Sequence, residues 1–182
     1  MLTNINFLIL TIHSYVNLIS IFIPKIKFIT TFRDFTFHTI IFPVAILTSV
    51  MFWGLYIINP ELVMPSWVYQ QIPKWINHVT HTYPIITVTL EIILTKHEIP
   101  SSMKKATLLT MTAFIGYILI LVHFYLKYNV WLYPIFHYIS PFSTISILMS
   151  AAVFMVILSN LAIYTTKVLH STLLLKKYKK NI

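Results

Sequence analysis

Charge is distributed along this chain in a way that leaves few folds open: stretches of about 20 residues with few or no ionic side chains recur between short polar connections. A helix needs about 20 apolar residues to cross ~30 Å of hydrocarbon at 1.5 Å per residue. Hydrocarbon offers no partner to bare backbone, so each crossing must satisfy its own N–H and C=O groups. The expectation is an all-α, polytopic transmembrane bundle forming one domain over residues 1–182. Five spans are expected, near 3–23, 38–58, 75–95, 106–126 and 142–166, followed by a basic tail at 167–182.

Composition agrees, with 58% hydrophobic and 9% charged residues against about half and about a quarter in soluble domains. The net charge of +9 does not indicate nucleic acid, because the lysines sit at the ends of apolar segments and not on one face of a soluble fold. There is no cysteine, hence no disulfide and no thiolate metal site. No internal repeat is evident.

Orientation follows from counting Lys and Arg in the short connections. A cytosolic C-terminus puts Lys25, Lys27, Arg33, Lys96, Lys104, Lys105 and the five lysines from Lys167 to Lys180 inside, leaving Lys74 and Lys127 outside. The outer connections carry Trp67, Tyr69, Trp75, Trp131, Tyr133 and Tyr138, as an interfacial aromatic belt does. The N-terminus is then outside. Met1 runs directly into apolar helix with no charged n-region, so the opening does not read as a signal peptide. The terminal Lys179-Lys180-Asn181-Ile182 resembles a dilysine retrieval signal for the endoplasmic reticulum, or else is a basic clamp on the inner leaflet.

Two constellations carry candidate chemistry. In the first span Thr3, Asn6, His13, Ser14, Asn17 and Ser20 share roughly 120° of one helix face at 100° per residue, and this stripe should face protein. The third span opens Trp75-Ile76-Asn77-His78-Val79-Thr80-His81-Thr82; intramembrane histidines usually face a bundle interior or a wet cavity. Thr3 and His81 both belong near the outer end, so a hydroxyl and an imidazole can share one depth. That pair is the minimum for nucleophilic acyl transfer, with the base taking the proton of a weak nucleophile, and a lipid ester is the substrate the setting offers. Asn77 is the expected local partner of His81. Glu91 is the one intramembrane carboxylate expected; ten residues from His81, it is ~15 Å away along the axis and reads first as a structural group bonded to another helix. His78 and His81 do not suffice for a metal centre, because the other histidines are scattered in depth. No cofactor or metal is expected.

The element Asn77-His78-Val79-Thr80-His81-Thr82, followed by Glu91 and Lys96-His97-Glu98-Ile99-Pro100-Ser101, resembles the family of androgen-induced and androgen-dependent TFPI-regulating proteins. Arg33-Asp34-Phe35, Phe42-Pro43-Val44, Ile72-Pro73-x-Trp75, Gly116-Tyr117-Ile118-Leu119 and Trp131-Leu132-Tyr133-Pro134 occur in the family's order. The resemblance implies a multipass hydrolase of fatty acid esters of hydroxy fatty acids with a threonine nucleophile, matched by Thr3, and a histidine base, matched by His81; Asn77, His78 and Glu91 are supporting residues. Relatives carry another helix ahead of the threonine, and commonly Glu-His and a glycine where His137, Tyr138 and Ser140 stand. The competing expectation is a non-catalytic membrane protein or transporter whose polar stripe lines a pathway; the spans show no inverted repeat and no Gly/Pro-broken helices of the kind transporters use.

Overall fold

The computed structural model describes residues 2–180, with side chains except those of Tyr69 and residues 172–180. The end of the dilysine pattern, Asn181 and Ile182, therefore lies outside the described residues. The helices are α1 (Leu2–Phe22), α2 (Lys27–Thr36), α3 (Phe42–Ile58), α4 (Ser66–Tyr69), α5 (Lys74–His81), α6 (Tyr83–Leu94), α7 (Met103–Tyr128), α8 (Ile135–Tyr138) and α9 (Pro141–Lys180). No strand occurs among the described residues. Among the described residues, four continuous helical stretches are long and apolar enough to cross a membrane: Leu2–Phe22, Lys27–Ile58, Met103–Tyr128 and Pro141–Ser171.

Two expected boundaries change, both at prolines. The span expected at 75–95 is two helices, α5 and α6, joined at Thr82. Pro84 has no N–H to donate to the Thr80 carbonyl and its ring crowds that turn, so the ladder breaks just after His81. A proline-broken helix is thus present after all, which removes one of the arguments against a transport pathway. The span expected to start at residue 38 begins at Lys27, because α2 runs into α3 through a π-helical turn at Phe37–Ile41. Pro43 would leave the Thr39 carbonyl without its helical donor. The turn widens there, the Phe42 N–H reaches back to the Phe37 carbonyl, and Thr110 of α7 supplies the Thr39 carbonyl with a hydroxyl at 2.9 Å. Re-satisfying freed backbone from a neighbouring helix is what permits such a break inside lipid.

Helix α7 ends where its sequence provides caps: the Ser102 side chain accepts from the Lys105 N–H at 3.3 Å, and Asn129 closes the other end in the left-handed region at φ 53°. Large apolar side chains such as Leu8, Phe22, Ile57, Leu94, Leu119 and Phe142 are exposed, a surface suited to lipid. Inside, Leu10, Phe37, Ile41, Phe42, Ala45 and Val88 form one packed cluster; Val44, Leu47, Phe114, Tyr117, Leu121 and Met155 are part of a second. Between helices in lipid such packing acts mainly through dispersion contacts, not water release.

Candidate active site

A cavity of about 740 Å³ opens where the start of α1, the end of α3, α5, α7 and the start of α9 meet. Its walls are mostly apolar, with Leu47, Met51, Phe52, Phe114, Leu121 and Phe136 among them. Set into these walls are the polar side chains of Thr3, Thr48, Asn77, Thr80, His81, Tyr117 and Tyr133. Thr3 and His81, 78 residues apart in sequence, therefore face one chamber.

His81 is the last residue of α5, placed there by the break at Pro84. Its ring lies flat on Phe52 of α3, with centroids 3.6 Å apart and planes 2° apart. Its Nδ1 is buried with no hydrogen-bond partner, so the bond expected from Asn77 is not formed, although Asn77 lines the same cavity. His78 points elsewhere: it is exposed, packs near Trp53 and pairs with the Thr82 hydroxyl at 3.2 Å. The two histidines do not converge.

Glu91 belongs to a different centre. Its Oε1 accepts from His13 Nε2 at 2.7 Å and from the Asn17 amide at 3.3 Å, tying α6 to α1. It is also not the sole carboxylate inside a span. Asp34, expected in a connection, is buried within Lys27–Ile58. One Asp34 oxygen receives Arg33 Nε at 2.7 Å and His97 Nδ1 at 2.8 Å; the other receives the Glu98 N–H at 2.9 Å. Arg33 reaches on to the Ser20 hydroxyl at 2.7 Å, and His38 links the Asp34 carbonyl to Thr166 of α9. Arg33 is therefore ion-paired inside the bundle and not an interfacial anchor. The polar stripe of α1 serves both centres, with Thr3 at the cavity and His13, Asn17 and Ser20 in this network, while Ser14 is exposed and bonds only its own helix at Leu10. None of the network residues lines the cavity.

Two further polar residues of the cavity were not singled out as chemistry by the sequence. The hydroxyls of Tyr117 and Tyr133 are hydrogen-bonded to each other, and the Leu2 N–H donates to Tyr133 at 3.0 Å. Tyr133, expected in an interfacial belt, is half-buried and faces the chamber beside the start of α1. The available signal was its place in Trp131-Leu132-Tyr133-Pro134, matched with Gly116-Tyr117 in the family pattern.

With this geometry in hand, comparison with known proteins gives a match of residues 1–165 to the FAR-17a/AIG1-like protein family. The chain belongs to that family. It is 40% identical to the human androgen-dependent TFPI-regulating protein over 112 residues, 61% of this chain and 48% of the relative. The mouse protein of that name is 37% identical over 131 residues, 72% of this chain and 56% of the relative. The human androgen-induced gene 1 protein is 28% identical over 117 residues, 64% of this chain and 49% of the relative. The chain spans about half the length of these curated relatives. No solved structure matches it. The FAR-17a/AIG1-like chain is thus a multipass helical membrane protein with one apolar chamber holding Thr3 and His81.

Proposed function

We propose that this FAR-17a/AIG1-like protein is an intramembrane hydrolase of lipid esters, with fatty acid esters of hydroxy fatty acids as the substrate class its family resemblance implies. The observation that carries the reading is that Thr3 and His81 both line one largely apolar cavity. Thr3 Oγ1 attacks the ester carbonyl carbon while His81 takes its proton, and His81 returns that proton to the departing alkoxide. A water molecule then attacks the acyl-threonine, its proton passing through His81 back to Thr3 as the carboxylic acid leaves. No carboxylate contacts His81. Burial opposes its transient positive charge, and the carbonyl end of α5 and the face of Phe52 are what offset that cost. Apolar walls suit acyl chains, and the substrate enters from the bilayer.

The competing reading is a non-catalytic membrane protein or transporter. The break at Pro84 permits it, and the side chain of Asn6, buried and without a hydrogen-bond partner, lies on α1 between Thr3 of the cavity and His13 of the network, although no network residue lines the cavity. Active-site labelling by a fluorophosphonate separates the readings: label should attach to the parent chain and be lost in Thr3→Ala. A parent chain that neither takes label nor hydrolyses a branched fatty acid ester overturns the hydrolase reading.

We also propose a cytosolic tail after Lys167, on the basic asymmetry of the connections, and residence in the endoplasmic reticulum or plasma membrane, the former on the likeness of Lys179-Lys180-Asn181-Ile182 to a dilysine retrieval signal. A glycosylation acceptor engineered near Ser66 should be modified, and one near Lys176 should not; the reverse pattern inverts the topology.

A further inference from the structure

We propose that the hydrogen-bonded pair Tyr117–Tyr133 is the oxyanion-stabilising donor of this cavity, an assignment that rests on the hydrolase reading. The argument is a count of protons. A phenol carries one O–H proton and can accept at its oxygen. Tyr133 accepts from the Leu2 N–H, and one of the two hydroxyls donates to the other. Whichever way the shared bond points, the pair holds two protons and uses one. The second O–H has no protein partner among the described residues.

That spare donor sits in the chamber that Thr3 and His81 share. Thr3 is the residue after Leu2, whose N–H the pair holds, so the pair and the nucleophile are anchored to the same first turn of α1. Surrounding side chains such as Phe114, Leu121 and Phe136 are apolar, and a donor fixed in such a setting is worth far more than one in water. As Thr3 Oγ1 bonds to the carbonyl carbon, the C=O π pair moves onto the oxygen. That oxygen accepts a hydrogen bond from the spare phenol, with no proton transferred. When the bond to the leaving oxygen breaks, the electron pair returns to C=O and His81 protonates the alkoxide. Among the described residues no arginine or lysine lines the chamber, so the donors it offers to an oxyanion are neutral, with the Asn77 amide the alternative to the tyrosine pair.

The test is kinetic and uses the full chain in membranes, with a long-chain branched fatty acid ester as substrate. Tyr117→Phe and Tyr133→Phe each leave one hydroxyl whose proton is free, so each single variant should keep more than about a tenth of the parental kcat. Tyr117→Phe/Tyr133→Phe should lose ~10²–10³ in kcat, as removal of an oxyanion donor does, with KM within a few-fold of the parent. Independent structural damage would instead multiply the two single losses. Thr3→Ala, run alongside, separates the two readings. If the parent hydrolyses the ester and Thr3→Ala does not, the hydrolase reading stands. A double variant within about threefold of the parental kcat, or changed in KM alone, then overturns the tyrosine assignment by itself. If the double variant no longer melts cooperatively in detergent, the singles decide: either one falling as far as Thr3→Ala overturns the assignment. A parent no more active than Thr3→Ala removes both.

Discussion

The two polar centres of this bundle use similar side chains and differ in whether their open hydrogen-bonding capacity lies among the residues that line the cavity. In the network around Asp34, three side-chain or backbone donors besides the Arg33 fork's second nitrogen converge on one carboxylate, and Glu91 accepts from His13 and Asn17; His97 Nε2 has no hydrogen bond and lies buried 3.7 Å from Glu91 Oε1. At the cavity, His81 Nδ1 has no partner, and one tyrosine proton is unused. A charge inside a bilayer is costly, and partners within the bundle are what make it tolerable. The difference teaches how to sort intramembrane polar residues: networks built on a carboxylate and buried away from the cavity fix helices in place, whereas groups with unspent bonding capacity on a cavity wall are available to a substrate.

The comparison breaks first on activity. Thr3→Ala and His81→Ala should each abolish ester hydrolysis while the melting temperature in detergent stays near the parent's, and the double variant should be no worse than either single, because groups acting as one unit are non-additive. Thr3→Ser should retain measurable turnover, since the hydroxyl remains. If His81→Ala instead unfolds the chain and leaves the residual activity per folded molecule unchanged, the cavity is as structural as the network.

At the other centre the effect should be on folding. Asp34→Ala strands Arg33 and His97, both buried, and breaking a buried pair by removing one partner costs about 3–5 kcal/mol. The measurement is thermal or denaturant unfolding in detergent, together with abundance in membranes. An Asp34→Ala chain as stable as the parent would mean that the network does not hold the bundle.

Much of this was legible in the sequence, and the rest was hidden for identifiable reasons. Apolar runs near the right length gave the spans, and the stripe on α1 was visible because helical spacing alone puts Thr3, His13, Asn17 and Ser20 on one face. Arg33-Asp34 misled, because two adjacent opposite charges look like a polar connection until the folded chain shows them cancelling inside a helix. Pro84 was visible but its consequence was not: whether a proline ends a helix or merely kinks it depends on what the neighbouring helices offer the freed carbonyl. The Tyr117–Tyr133 pair joins α7 to the segment before α8, and no periodicity rule brings together residues held by a turn. Family membership is supported by the comparison, whereas the roles of Thr3 and His81 rest on the cavity and on the resemblance.

A smaller stability effect tests the backbone repair beside the network. Thr110→Val removes the hydroxyl that serves the Thr39 carbonyl at Pro43's π turn, and leaving a buried acceptor unmade costs about 1–3 kcal/mol. Val keeps the branched shape, so a cavity contributes little. Equal stability of Thr110→Val and the parent would show that the freed carbonyl is satisfied in another way. Ester hydrolysis should be unchanged per folded molecule, since Thr110 does not line the cavity.

The smallest expected effect is at His78, and it sharpens the comparison because His78 stands only three residues from His81 on the same helix. Its ring is exposed, its recorded partner is the Thr82 hydroxyl at 3.2 Å, and it is not part of the cavity wall. An exposed hydrogen bond of this kind contributes little, so His78→Ala should change stability by within about 0.5 kcal/mol. Turnover should stay within a few-fold of the parent, because the base, the nucleophile and the cavity wall are untouched. A modest loss is still expected if Thr82, the joint between α5 and α6, shifts and carries His81 with it. The decisive measurement is hydrolysis of the branched ester by equal amounts of His78→Ala and His81→Ala in membranes. If His78→Ala is inactive and His81→Ala hydrolyses at the parental rate, the base is the histidine outside the cavity, and bonding capacity on a cavity wall is the wrong criterion for sorting the polar residues of this bundle.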